Sequence, residues 1–75
     1  MQSKRDEQAE SATRHDDASR SHSEAAKRHD KAAERWDEMG DSERAEFERR
    51  NAKIERDAAK LESDRAQFYR RLTPR

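Results

Sequence analysis

The sequence predicts an all-α fold, a two-helix antiparallel hairpin of coiled-coil character, on three observations. His15, His22, His29 and Trp36 recur at seven-residue spacing, and Phe47, Ile54, Leu61 and Phe68 recur at the same spacing after the only glycine. Seven residues are close to two helical turns, so each series forms a column along one helix face. Gly40 and Asp41 lie midway between the two series, where a chain that doubles back needs its turn. Composition is the third observation. Alanine, glutamate and arginine favour helix, β-branched residues are nearly absent, and the single proline lies at the chain end.

Residues 1–10 are polar, carry one capping pattern from Ser3 to Asp6, and are expected to fray. Helix 1 is expected over about 11–39. Its early part is rich in Ser and Thr, which compete for backbone hydrogen bonds, and Thr13 to Asp16 and Ser21 to Glu24 each have the form of a capping box. From Glu24 onward the pattern is firm. The His/Trp column is flanked by Ala18, Ala25, Ala32 and Met39 on one side and by Ala12, Ser19, Ala26 and Ala33 on the other. Together these columns make one continuous helix face. Gly40 suits the left-handed position that ends a helix, and Asp41 or Ser42 can cap the next, with Glu43 favourable in its first turn. With a turn at 40–41, helix 2 should cover about 42–71. The hairpin then occupies 11–72, followed by a flexible tail at 73–75.

Pairing the two columns in antiparallel order sets Trp36 against Phe47, His29 against Ile54, His22 against Leu61 and His15 against Phe68. The predicted seam is therefore His22, His29, Trp36, Phe47, Ile54, Leu61 and Phe68, with His15 at its far end. A second stripe, Ala45, Ala52, Ala59 and Ala66, runs along helix 2 rotated by about 150° from the first. One partner helix cannot cover both. The alanines read either as exposed helix formers or as a close-packed seam for a second copy or another protein.

Around the turn, Ala32, Ala33, Trp36, Gly40, Asp41, Ala45 and Ala52 resemble the helical pair of a tetratricopeptide repeat. In that motif a small residue and an aromatic precede a Gly-Asp turn and small residues follow it. The resemblance implies a helix-turn-helix scaffold of the kind that binds peptides or proteins. The sequence departs from the motif where Arg49 replaces an aromatic and where no proline ends helix 2 near Asp57, and both helices are expected to be twice as long as the repeat allows.

The histidines are the first candidates for chemistry, but seven helical residues separate neighbours by about 10 Å along the axis, too far for a shared metal on one helix. They are expected to pack in the seam, with Asp57 and Asp64 as the nearby acceptors for an imidazole hydrogen bond. No Ser-His-Asp arrangement on a strained turn and no glycine-rich phosphate loop is present, so neither catalysis nor a cofactor or metal is expected. The absence of cysteine excludes disulfides and thiolate sites. No apolar run approaches the length of a signal peptide or membrane span, which makes a cytoplasmic protein the expectation. The excess of arginine over lysine, 13 against 5, points to a high-GC, bacterial genome.

With 18 basic and 18 acidic residues the charge is balanced, and 28% hydrophobic content, largely alanine, leaves little bulk for a core. An isolated hairpin of this composition is expected to be marginal. Dimerisation into a four-helix bundle, or docking on a larger complex, would supply the missing burial. The expected function is accordingly protein–protein interaction, through a partner or a homodimer. One alternative is contact with RNA or a ribonucleoprotein through the basic, aromatic end formed by Arg65, Tyr69, Arg70, Arg71 and Arg75. Another is acid sensing through the seam histidines.

Overall fold

The computed structural model describes residues 4–72. Two helices, α1 (Lys4–Glu38) and α2 (Ser42–Leu72), pack against each other as an antiparallel hairpin, a rod measuring 58 × 16 × 14 Å. The all-α hairpin is thus the fold the heptad columns predict. Helices of 35 and 31 residues are about twice the length that a tetratricopeptide helix can have in its 34-residue unit. The expected tail at 73–75 lies outside the described residues, as do residues 1–3.

Helix α1 begins at Lys4 rather than near residue 11. The hydroxyls that threatened its first half have found partners compatible with helix. Thr13 Oγ1 donates to the carbonyl of Ala9 at 3.1 Å, and Ser11 Oγ accepts from the Arg14 guanidinium at 3.0 Å. Ser19 Oγ donates across the hairpin to the carbonyl of Ala59 at 2.8 Å. A hydroxyl engaged in this way no longer competes for the amides that a capping box would use.

The turn closes as the sequence requires. Gly40 takes φ 78°, the Asp41 amide donates to the Trp36 carbonyl at 2.8 Å and the Gly40 amide to the Asp37 carbonyl at 3.0 Å. These are the paired bonds of a Schellman motif, which needs a residue free of Cβ strain at the left-handed position. Asp41 then caps α2, its Oδ1 accepting from the Arg44 amide at 3.0 Å while its carbonyl accepts from the Ala45 amide at 3.1 Å. Between two expected caps, Asp41 takes the role and Ser42 becomes the first helical residue.

The seam differs from expectation. Among the described residues the buried ones are all alanine: Ala12, Ala26 and Ala33 on α1, and Ala45, Ala52, Ala59 and Ala66 on α2. The Ser19 to Ala59 hydrogen bond sets the register, and heptad translation places Ala12 opposite Ala66, Ala26 opposite Ala52 and Ala33 opposite Ala45. The second stripe is therefore the intramolecular seam, neither exposed nor turned to another molecule. Phe47, Ile54, Leu61 and Phe68, expected inside, are exposed at 61, 63, 49 and 49%.

Relative to the predicted pairing, α2 is rolled about its own axis by roughly 150°. The reason is polar. Large side chains in the seam would have faced three imidazoles with few acceptors. With alanine in the seam the helices come close, the three imidazoles reach glutamates of α2, and no buried side-chain N or O atom lacks a hydrogen bond among the described residues.

The register makes two predictions. An Ala26→Cys, Ala52→Cys pair should form an intramolecular disulfide under mild oxidation, whereas Trp36→Cys with Phe47→Cys should not, as read by mobility on non-reducing gels. The turn geometry predicts that Gly40→Ala lowers stability by about 1 kcal/mol, although nothing within 4 Å would touch the added Cβ. A chemical denaturation midpoint equal to wild type would contradict this.

Candidate functional site

Two ladders of side chains flank the alanine seam. On one side His15, His22 and His29 each present Nδ1 to a carboxylate of α2 rather than to an apolar side chain. His22 donates to Glu55 at 2.6 Å, His29 to Glu48 at 2.6 Å, and His15 to Glu62. These acceptors replace the expected Asp57 and Asp64, which pair along α2 with Lys53 at 3.0 Å and Lys60 at 3.3 Å. Sequence reasoning missed the glutamates, although Glu48, Glu55 and Glu62 repeat at the same seven-residue spacing as the histidines. That shared spacing was the available signal.

Trp36 ends the histidine column at the turn. It is half-buried, with the Arg44 guanidinium 4.8 Å from its ring centroid. At the other end, Tyr69 stacks on His15 with ring centroids 5.4 Å apart and planes 7° from parallel, and Phe68 meets Tyr69 edge-on at 5.6 Å.

On the opposite side of the seam Asp16, Asp30 and Asp37 pair with Arg70, Arg56 and Arg49. Two of the basic-end residues are thereby accounted for within the chain. Arg70, though exposed, pairs with Asp16, and Tyr69 stacks on His15. Arg65 bonds Glu62 at 2.5 Å along α2. Arg71 is exposed, and Arg75 lies outside the described residues.

Glu62 accepts from both His15 and Arg65. Its carboxyl is held below its ordinary value of 4.5, chiefly by the hydrogen bond from His15; partial burial opposes this, and the adjacent Arg65 guanidinium adds to it. The ladders are spaced contacts rather than a cluster. Among the described residues no three His, Asp or Glu side chains converge as a metal site would require.

The surface also carries large apolar side chains. Phe47, Ile54, Leu61 and Phe68 form one exposed column along α2, with Leu72 at 47% and Met39 at 70% exposure near its two ends. The column lies on the histidine side of the rod, next to Asn51 and Ala58 of α2 and beyond them the Ala18, Ala25, Ala32 flank of α1, all of which are half-buried. No helix of the described residues is long and apolar enough to cross a membrane. No family model matches the chain, and searches of curated proteins and of solved structures find no match.

The Glu62 contacts predict an acid dependence. A carboxyl whose folded pKa lies below its unfolded value contributes stability above the unfolded pKa of about 4.5, and that contribution is lost as pH falls through the folded value. Glu62→Gln should therefore melt below wild type at neutral pH and show a shallower decline on acidification below about pH 4.5. Parallel curves for the two proteins in circular dichroism melts would show that His15 and Arg65 do not hold the carboxylate in solution.

Proposed function

We propose that this chain is a small, cytoplasmic, non-enzymatic helical hairpin that works through protein–protein interaction, with the outer face of α2 as its binding surface. One observation carries the reading: the large apolar side chains of α2, spaced to lie in line, are on the outside, while the interior is built of alanine. An ordinary monomer scatters such residues singly. A continuous column of them with polar flanks is the pattern of an interaction surface. The basic end favours nucleic acid less, because Arg65, Tyr69 and Arg70 have partners inside the hairpin.

The test is an Ile54→Asp, Leu61→Asp variant. Both positions are exposed in the hairpin, so helix content and melting of the monomer should be close to wild type, while association with any protein should fall by at least tenfold. Molar-mass measurement together with chemical crosslinking in the native cell reads the outcome. Association that survives both substitutions overturns the reading.

The histidine–glutamate ladder favours a second reading, a response to mild acid. Each imidazole lies within hydrogen-bond reach of a carboxylate, Glu62, Glu55 or Glu48, and at the His15 end Tyr69 and Arg65 are the other polar neighbours. The test compares circular dichroism melts at pH 5.5 and pH 7.5 for wild type and for a variant in which His15, His22 and His29 are replaced with Gln. Equal pH dependence with and without the histidines would exclude it.

A further inference from the structure

We infer that the occupant of the apolar column is a second copy of this chain, docked with its α2 antiparallel to the first, so that Phe47 meets Phe68 of the other copy and Ile54 meets Leu61. The inference rests on the interaction reading above and specifies its partner.

The hairpin supplies the template. Across its alanine seam, with Ala26 opposite Ala52, the flanking pairs are residues four before one seam position and three after the other. His22 with Glu55 and, reversed, His29 with Glu48 obey this rule. Applied to the apolar column, the same offsets set Arg50 of one copy beside Asp64 of the other, and Glu43 beside Arg71. Two-fold symmetry repeats each pair, so this flank carries opposite charges toward both ends. Only Asp57 meets its own copy at the axis, and there each Asp57 is already held by Lys53 at 3.0 Å. On the other flank Ala58 meets its own copy and Asn51 faces Arg65, with no like charges opposed.

The alternative orientation fits less well. A parallel pair would set Glu43 near Arg44 and Asp64 near Arg65 of the other copy. Both arginines are committed within the hairpin, Arg44 to Trp36 and Asp41, and Arg65 to Glu62 at 2.5 Å. The antiparallel pair draws on Arg50 and Asp64, whose existing contacts to Glu46 at 3.9 Å and Lys60 at 3.3 Å are looser and lie on the surface. Antiparallel helix dipoles also oppose favourably. The four pairs of the column are all used only in this register; a slip of one heptad leaves a phenylalanine of each copy uncovered.

The chain has no cysteine, so single-cysteine variants report orientation directly. Light scattering on the full chain should give twice the 8.9 kDa chain mass. Asp57→Cys should oxidise to a covalent dimer, whereas Arg71→Cys, at the far end from its own copy, should not. Arg50→Glu should weaken dimerisation roughly tenfold by setting two glutamates against Asp64, and adding Asp64→Arg should restore it. A dimer crosslinked through Arg71→Cys but not Asp57→Cys overturns the antiparallel pairing. A monomeric wild type overturns the second copy as occupant; if Ile54→Asp, Leu61→Asp then still abolishes capture of another protein, the interaction reading stands without it.

Discussion

How near two helices can lie is set by the smallest side chains between them. In this hairpin those are alanines on both sides at every heptad, with Ser19 as the one exception, and the resulting close approach governs the remaining contacts. At such a spacing an imidazole on α1 reaches a glutamate on α2, and a short aspartate reaches across to an arginine. Larger seam residues would push the axes toward the upper end of the usual 8–10 Å range and leave these pairs stretched or bridged by water. The ladders therefore depend on the seam, and the seam depends on a turn tight enough to start the second helix against the first. Gly40 and Asp41 make that turn in three residues, 39–41.

The two faces of the rod that result differ in chemistry. One is closed by Asp–Arg pairs that hold their charge at any pH near neutrality, which fixes the helices in register. The other is closed by His–Glu pairs, and the apolar column lies on that same side. Register is specified most sharply by the Asp–Arg ladder, because Ser23 and Ser63 interrupt it and a slip of α2 by one heptad would leave only one of its three pairs, whereas the evenly spaced His–Glu ladder would lose one of three. A seam of alanines specifies register only weakly by itself, since a heptad shift uncovers just one small side chain at the end of each helix. The charges flanking it remove that near-degeneracy.

Fold class, turn and helix 2 boundaries were legible in the sequence because each rests on local chemistry: heptad period, a glycine free to take positive φ, an aspartate cap. Which column faces inward was not. Hydrophobicity favoured Phe47, Ile54, Leu61 and Phe68, and in most proteins the larger apolar residues do mark the core. Here the opposite column consists of histidines, and the decision turned on where the imidazoles and the Asp16, Asp30 and Asp37 carboxylates find partners. Glu48, Glu55 and Glu62 on one flank of the alanine stripe, and Arg49, Arg56 and Arg70 on the other, carried that information as two further heptad series. Counting apolar bulk alone overlooks them. How the serine-rich first half of helix 1 is held was hidden for a different reason: the partner of Ser19 is a backbone carbonyl forty residues away, which no local pattern reports.

An interior of alanine also shapes how the chain responds to a partner. Each alanine buries little area, and exposed ion pairs contribute only about 0–1 kcal/mol each, so the hairpin is held by many small terms. The large transfer free energies belong to the four exposed side chains of the α2 column, each worth about 1.5–3 kcal/mol if fully covered. Whatever covers the column adds a share of that energy to the folded state and none to the unfolded chain, so binding and folding are linked by mass action. A protein built with the same residues turned inward would be more stable alone and would have less to offer a partner. Placing alanine in the seam keeps the monomer folded through geometry and charge, and leaves its strongest hydrophobic contacts to be made by association.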